Sequence, residues 1–331
     1  ASGEAVSDAV EIADGVFAYL QRGSWGYSNG GLIAGPDGSL LVDTMYDLAL
    51  TRQMLDTLHS VNAAPIATVV NTHANGDHCW GNQLVNDAEI ISTRAAAAEM
   101  LELSPRLMAT LVQASRAIVR GGALASWPLR LLGRIGVTRA GLLAEAAPLL
   151  AERFGGFDFG PITLRPPDRT FEGALTLQLG ELEVQLLELG PAHTRGDAVV
   201  YLPKHKVLFS GDLLFTDSHP IVWDGPIQNW IDACDRILAL EVDVIVPGHG
   251  PLTDKAGVRR TKEYWRRVLE LAHRIHTKQL SLEHALSRLR HEFDWREPER
   301  AVVNLSNALR QLGERVPTDP LALLAMMAQH R

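Results

Sequence analysis

The chain has 331 residues, of which 46% are apolar and 21% charged, and its formal net charge is −8. A chain of this length can bury a large core, and its acidic balance argues against a broad nucleic-acid-binding surface. No apolar run approaches the ~20 residues that a membrane-spanning helix needs, so neither nucleic acid nor a membrane is an expected partner.

Cysteine usage and the N-terminus bear on the compartment. Only Cys79 and Cys234 occur, which is typical of proteins that need no disulfide framework. Residues 1–14 contain no basic segment followed by an apolar core, the pattern of a secretion signal. These features predict a cytoplasmic protein, with a signal peptide removed before residue 1 as the alternative.

The first part of the chain predicts short strands, at residues 15–20, 31–34 and 39–43, with a hairpin turn at residues 36–38. Asp47 can cap a helix whose apolar positions run from Leu48 to Val61 at helical spacing. Strands at residues 67–71 and 89–92 follow. This alternation predicts an α/β fold with parallel pairing in a covered sheet.

Residues 94–157 have a different composition, rich in Ala, Leu and Met. Helices are predicted near residues 105–119, 124–132 and 138–154, separated by Gly121, Gly122 and Gly133. We interpret the segment as a helical insertion in the same domain. A lid over an apolar substrate and a dimer surface are both open as its role.

Strands are predicted again at residues 174–179, 183–189, 198–202, 207–209 and 243–246, with a helix over 226–240 between the last two. After Pro251 the pattern is helical, and Asp319 followed by Pro320 marks the start of the last helix. We therefore expect a catalytic domain over residues 1–254 and a helical extension over 255–331 that packs on the same domain.

The most informative segment is residues 71–78, directly after the apolar run 66–70. It places His73, Asn75, Asp77 and His78 at the end of a predicted buried strand. Loops at strand ends present side chains to clefts on a rigid support. Imidazoles and carboxylates together are ligands for zinc or iron.

Three later fragments, residues 190–197, 209–212 and 246–250, each follow or lie between apolar strand-like runs. They supply His193, Asp212 and His249, each close to a glycine that lets the backbone turn sharply. A lone histidine in a loop is more often a surface residue than a ligand. All four clusters in this order are far beyond coincidence.

With these clusters the chain resembles the metallo-β-lactamase fold superfamily, over about residues 10–255. It is also similar to a bacterial branch of metallohydrolases with a Trp-Asp-Gly-Pro segment, here residues 223–226, before the last histidine. The resemblance implies an αβ/βα sandwich with a helical insertion and a C-terminal helical extension. It does not identify the substrate, because this superfamily carries many activities.

The resemblance also implies a metal-ligand set. Its His-x-His-x-Asp-His pattern falls on residues 73–78, with an asparagine where the second histidine is expected. The implied ligands are His73, Asn75 and His193 at site one, Asp77, His78 and His249 at site two, and Asp212 as the bridge. Two zinc ions are expected, with one ion, iron or manganese as alternatives.

Asn75 is the departure from the family pattern. An amide oxygen is a weaker donor to zinc than an imidazole. Three outcomes are open: Asn75 binds metal through its oxygen, it hydrogen-bonds a metal-bound water, or site one is weakly filled. In the last case catalysis would depend on site two alone.

The implied activity is metal-dependent hydrolysis. A metal-bound water would attack the carbonyl of an ester, thioester, lactone or amide in a small organic substrate, with Asp77 as the catalytic residue that orients it. A di-iron oxidoreductase of the same fold is the first alternative, although its branch has glutamate at position 75. A non-catalytic binding relative is the second. The sequence leaves a homodimer open.

Other residues near these clusters have two interpretations each. Asp43 could orient a ligand histidine, or it could cap the strand end. His219 is interpreted as an ordinary loop residue rather than a spare ligand, and Cys79 as a buried packing residue rather than a nucleophile. Residues 27–29 could line the rim of a pocket.

Overall fold

A computed structural model describes residues 7–23, 25–134 and 138–331. In this part of the chain the strands form two sheets, which confirms the predicted α/β sandwich. The strand expected at residues 15–20 is present, and a strand before it, within residues 7–13, was not predicted. Residues 1–6, which belong to the segment 1–14 that was compared with a secretion signal, lie outside the described residues.

The first sheet has seven strands in chain order among the described residues: β1 (Ser7–Ala13), β2 (Val16–Gln21), β3 (Gly30–Ile33), β4 (Ser39–Val42), β5 (Ile66–Val70), β6 (Glu89–Thr93) and β7 (Arg169–Phe171). Strands β1 to β4 pair antiparallel, whereas β4 to β7 pair parallel. The expectation of parallel pairing was therefore wrong for the first half, because short turns can join only antiparallel neighbours.

The second sheet has five strands in the described chain, in the order β12 (Val244–His249), β11 (Val207–Phe215), β10 (Ala198–Leu202), β9 (Leu182–Glu188) and β8 (Ala174–Leu179). Only β11 and β12 pair parallel among these. The predicted strand 207–209 was too short. Gly211 adopts a φ of 50°, the register shifts there, and the strand continues to Phe215.

The inner faces of the two sheets pack against each other. Val42 and Ile91 of the first sheet share one apolar cluster with Leu186 and Phe209 of the second. Helix α1 (Leu48–Val61) covers the outer face of the first sheet, and the predicted cap is present, since Asp47 accepts a hydrogen bond from the backbone of the first turn. The layers are therefore helix, sheet, sheet and helix.

Helix α2 (Gly76–Cys79) is a single turn that follows β5. Helix α6 (Ile227–Ala239) lies on the second sheet, and the helices after it are α7 (Lys255–His276), α8 (Leu282–Glu292), α9 (Ala301–Gln311) and α10 (Pro320–Gln329). The ring centroids of Trp230 on α6 and Trp265 on α7 are 4.4 Å apart. The C-terminal helices thus extend the core of the sandwich.

The described part of the insertion joins β6 to β7 and contains α3 (Arg94–Met100), α4 (Pro105–Arg134) and α5 (Thr138–Arg153). Helix α4 combines the two helices predicted on either side of the glycine pair. It bends at Gly122, whose φ of 55° and ψ of −136° are not helical. The base of the insertion, Phe154 and Phe157, packs on Tyr46 beside the first sheet.

In residues 7–23, 25–134 and 138–331, each helix is too short or too polar to cross a bilayer.

The close approach of the two sheets depends on a glycine. A Cβ atom at Gly31 of β3 would overlap the ring of Phe209 from the opposite sheet, and it would lie 2.6 Å from the carbonyl oxygen of Phe17. We expect Gly31→Ala to lower the free energy of unfolding by about 1–3 kcal/mol, because the core is already filled. Urea denaturation followed by circular dichroism measures this change.

Gly156→Ala is the matched control, since a Cβ there has no neighbour within 4 Å. It should leave the free energy of unfolding within about 0.5 kcal/mol of the parent. Equal stability of the two variants would contradict the proposed contact between the sheets.

Candidate metal centre

The residue 71–78 segment leaves β5 at the edge where the two sheets meet. His73 and His78 are almost completely buried, and Asp77 is half-buried. The backbone at Gly76 passes so close to Trp80 that a Cβ atom at this position would overlap the indole. The backbone N–H of Ala198 donates to the carbonyl oxygen of Thr72 over 2.8 Å, which ties this segment to the second sheet.

The second sheet supplies the other predicted ligands. His193 lies in the loop before β10, Asp212 within β11, and His249 at the end of β12. The His193 loop is held by Asp197, whose carboxylate accepts hydrogen bonds from the Thr194 hydroxyl and backbone N–H and from the Ala192 backbone. Two of the ligands thus sit in or at the end of adjacent parallel strands.

Asp212 lies at the centre of the histidines. Its Oδ1 is 3.0 Å from Nε2 of His78, and its Oδ2 is 3.3 Å from Nε2 of both His193 and His249. The Oδ2 atom is also 3.8 Å from Nε2 of His73. This is the position that the resemblance implies for a bridging carboxylate.

Two groups of three side chains could each hold a cation, with their ligand atoms within 4.8 Å of one another. One group is His73, His78 and Asp212, and the other is Asp77, His78 and His249. The second reproduces the predicted site two. The first contains His73 and the bridging Asp212 of the predicted site one, with His78 in place of Asn75 and His193.

All four histidines have the same orientation. Each Nδ1 is hydrogen-bonded outward, over 3.0 Å to Oγ1 of Thr72 for His73, 2.8 Å to Oδ2 of Asp43 for His78, 2.7 Å to the carbonyl oxygen of Ile221 for His193, and 3.0 Å to the carbonyl oxygen of Tyr27 for His249. An Nδ1–H donor leaves the Nε2 lone pair free. Four Nε2 atoms therefore face Asp212, and in the neutral rings that a metal ion requires each would offer its lone pair, as in metal sites where outer acceptors orient the ligands.

Asp43 orients two of these rings. One carboxylate oxygen accepts hydrogen bonds from His78 and from the hydroxyl of Thr72, which itself contacts His73, and the other accepts from the Thr72 backbone over 2.7 Å. Asp43 has a φ of 62°, a left-handed conformation that aspartate adopts more readily than most residues. Of the two interpretations of this residue, the orienting one fits these contacts.

The Asn75 side chain lies beside His193. Its Nδ2 is 2.8 Å from Nε2 of that ring and can donate to it. Rotation of the amide by 180° would bring its oxygen to the same place as a metal ligand. Asn75 thus lies beside His193, the other residue that the prediction assigned with it to site one.

The charges of the site call for a cation. Burial disfavours any charge here, yet Asp212 and Asp77 together raise the pKa of His249 to about 9, and Asp212 and Asp43 raise that of His78 well above its usual value. Despite burial, the hydrogen bond with His249 lowers the pKa of Asp77 to about 2. Despite burial, the charges of His249, His78, His73 and His193 also hold the pKa of Asp212 well below its usual value, so Asp77 and Asp212 stay ionised and attract positive charge.

The polar atoms of the site fit a metal. Nε2 of His73, Nε2 of His78 and Oδ1 of Asp212 are buried and form no hydrogen bond of regular geometry, although the last two atoms lie 3.0 Å apart as an ion pair. Buried polar atoms normally have a partner, and an atom without one calls for an explanation. A divalent cation bound by imidazoles and carboxylates would satisfy all three.

Two supporting residues were missed from the sequence. The ring of Phe215 stacks on His249 with centroids 5.0 Å apart and planes 8° apart, and the guanidinium of Arg300 lies 5.3 Å from the Phe215 centroid and 4.4 Å from that of Trp25. No local motif could have identified Arg300, because it comes from the C-terminal helices.

The remaining candidates have structural contacts. Ser28 donates to the carbonyl oxygen of Asp77 over 2.5 Å, and Asn29 donates to that of Pro247 over 2.9 Å, so these two side chains hold the ligand loops rather than line a rim. Burial raises the pKa of Cys79, which agrees with a packing thiol. His219 is fully buried against Tyr264 and belongs to neither candidate metal group.

Comparison with known proteins finds curated relatives that align along most of the chain. The linear primary-alkylsulfatase of Pseudomonas sp. (strain ATCC 19151) is 26% identical over 258 residues, which cover 73% of this chain and 45% of that protein. The metallo-β-lactamase type 2 of Bacillus cereus is 21% identical over 69% of each chain. The chain spans less than half the length of the first of these relatives.

A solved structure has the same fold. The metallo-β-lactamase from Pontibacter korlensis matches with a TM-score of 0.54 and 18% identity, covering 79% of this chain and 99% of that one. The family model of the metallo-β-lactamase superfamily matches residues 23–249, which is more than half of the chain. The protein therefore belongs to the metallo-β-lactamase superfamily.

Proposed function

We propose that the protein is a metal-dependent hydrolase that cleaves an ester, thioester, lactone or amide bond in a small organic substrate. The observation that carries this proposal is the set of four imidazole Nε2 atoms directed at Asp212, each with its Nδ1 engaged outward. Zinc is the proposed metal, since tetrahedral sites of imidazole and carboxylate suit it.

Two ions are proposed, with Asp212 between them. His73, His193 and Asn75 would hold the first, and His78, His249 and Asp77 the second. Divalent cations bound there would supply Lewis-acid activation of water and of the substrate oxygen. The side chains of the protein would orient the water and the metal ligands.

Asp77 is the proposed catalytic residue. Its Oδ2 lies 3.4 Å from Nε2 of His249, and the low pKa of its carboxyl, about 2, leaves it ionised near neutral pH. An ionised carboxylate at this place can orient the attacking water by accepting a hydrogen bond from it. Asp43 would not contact the metal. It orients the ring of His78 directly and that of His73 through the Thr72 hydroxyl.

The relatives support hydrolysis without selecting a substrate. An alkylsulfatase and a β-lactamase both align with most of this chain. Sulfate esters and β-lactams therefore join the esters, thioesters and lactones to be assayed. A di-iron oxidoreductase is disfavoured because an amide occupies position 75, and a non-catalytic relative because six of the seven ligand positions are retained.

The metal content of the protein tests the proposal first. Purified without chelator or nickel resin, the chain should contain up to two zinc ions by plasma mass spectrometry. Asp77→Asn and His249→Ala should lose the second ion and abolish turnover of the substrate found by screening, because each removes a ligand of site two. Circular dichroism should show a retained fold.

His59→Ala is the control, since this exposed histidine lies on the far helix α1 and should leave metal content and turnover unchanged. Retained turnover in Asp77→Asn or His249→Ala would overturn the mechanism. Two irons per chain would favour the oxidoreductase, and a protein that binds no metal after reconstitution would favour a binding role.

Asn75 can be tested through stoichiometry. We expect Asn75→Ala to bind one ion less, because it removes the amide beside His193, while the site-two ion is retained. Asn75→His should bind the first ion more tightly, since imidazole is the better zinc ligand. Chelator competition measures both. Two ions at parental affinity in Asn75→Ala would mean that the amide is not a ligand.

The orienting role of Asp43 gives a further prediction. Asp43→Asn keeps the size of the side chain but weakens the acceptor for His78 and Thr72, so zinc affinity should fall about 10–100-fold. Asp168→Asn is the matched control, because Asp168 accepts a hydrogen bond from the backbone of Ile90, outside the candidate metal groups. Equal affinities of the two variants would contradict the role of Asp43.

A further inference from the structure

Helix α4 exposes an unusual amount of apolar surface. Of the eleven large apolar side chains that are exposed in the described chain, six lie on this one helix: Leu107, Val119, Leu124, Trp127, Leu131 and Leu132. Leu124 is 91% exposed and Trp127 is 65% exposed. Single exposed apolar residues are ordinary, but a cluster of this kind marks a contact surface.

The cluster forms a stripe after the bend at Gly122. Leu124, Trp127 and Leu131 are spaced by three and four residues, so they lie on one face of the helix. Before the bend, Val112 and Ile118 are buried and attach the helix to the protein. The stripe therefore faces solvent on a helix whose other end is anchored.

The charge of this segment is opposite to that of the chain. Residues 103–144 contain six arginines and no aspartate or glutamate, although the chain as a whole carries −8. Arg106, Arg120 and Arg130 are exposed, and no carboxylate in the described part of the chain pairs with them. At helical spacing, Arg130 lies at the side of the apolar stripe.

These features decide between the partners that could cover the stripe. A symmetric dimer would bring the same arginine-rich surface of two copies together, and like charges in contact oppose association. A lid would turn the stripe towards the protein, whereas these side chains are exposed. An anionic surface with an apolar interior satisfies both the arginines and the stripe.

We propose that α4 attaches the protein to anionic lipid membranes by lying in the plane of the interface. The apolar stripe would enter the headgroup boundary, and the arginines would contact lipid phosphates while their aliphatic stems cover apolar surface. The sequence was expected to have no membrane partner because it contains no spanning segment. A helix that lies in the plane of the interface does not need such a segment. This attachment is independent of the proposed hydrolysis.

Vesicle co-sedimentation of the full chain tests the proposal. Vesicles of phosphatidylcholine with about 30% phosphatidylglycerol should bind the protein at least about tenfold more tightly than phosphatidylcholine alone, because each basic residue near an anionic surface adds binding energy. Binding should weaken as salt rises. Failure to bind, or equal binding to both vesicles, would overturn the proposal.

Two double variants separate the apolar and the charged contributions. Leu124→Ser with Trp127→Ser, and Arg120→Gln with Arg130→Gln, should each weaken binding at least about tenfold. Val61→Ser and Arg52→Gln are the matched controls, as exposed residues of the same kinds on α1, and should bind like the parent. Turnover of a soluble substrate should not change in any of them.

The alternative partners have their own outcomes. Light scattering that finds a dimer in the parent and a monomer in Leu124→Ser with Trp127→Ser would assign the stripe to a second copy and overturn the proposal. Parental vesicle binding in both double variants would also overturn it, because another surface would then be responsible.

Discussion

The carboxylate of Asp212, buried among imidazoles, is the constraint on which the rest of the site depends. A buried anion is stable only when positive charge and hydrogen bonds compensate its lost hydration. The surrounding histidines direct their Nε2 atoms towards it, and each is held by an acceptor at Nδ1. The site is thus preorganised around a negative charge that a divalent cation would match, and Asp43 contributes to this arrangement because it contacts His78 and Thr72.

The packing of the two sheets brings the proposed metal ligands together. The first sheet contributes the segment with His73 and His78, and the second contributes Asp212 and His249. Asn29 directly precedes β3 of the first sheet and donates to the carbonyl oxygens of Pro247 and Gly250, which flank His249. Because these contacts cross between the sheets, any change that separates the sheets also separates the ligands.

The C-terminal helices and the insertion contact different parts of the sandwich. Arg300, from the C-terminal helices, packs on Phe215, which in turn stacks on His249, so this extension supports the metal centre from behind. The base of the insertion contacts Tyr46, whose ring stacks on Trp80 next to the 71–78 segment. Its far end presents an apolar, arginine-flanked face to solvent. The surface proposed for membrane attachment therefore lies apart from the proposed metal centre.

The sequence by itself determined the family, the order of the ligand residues and most of the helices, because these depend on short-range spacing, capping and periodicity. Asp47 as a cap and the glycine break in α4 are examples, and both are present in the structure. Only the tertiary structure decided the antiparallel first strands, the extension of β11 to Phe215, and the grouping of His73 with His78 beside Asp212. It also decided that Asp43 orients the histidines and that Arg300 supports them. These contacts join residues far apart in the chain, and their geometry arises only when the sheets pack.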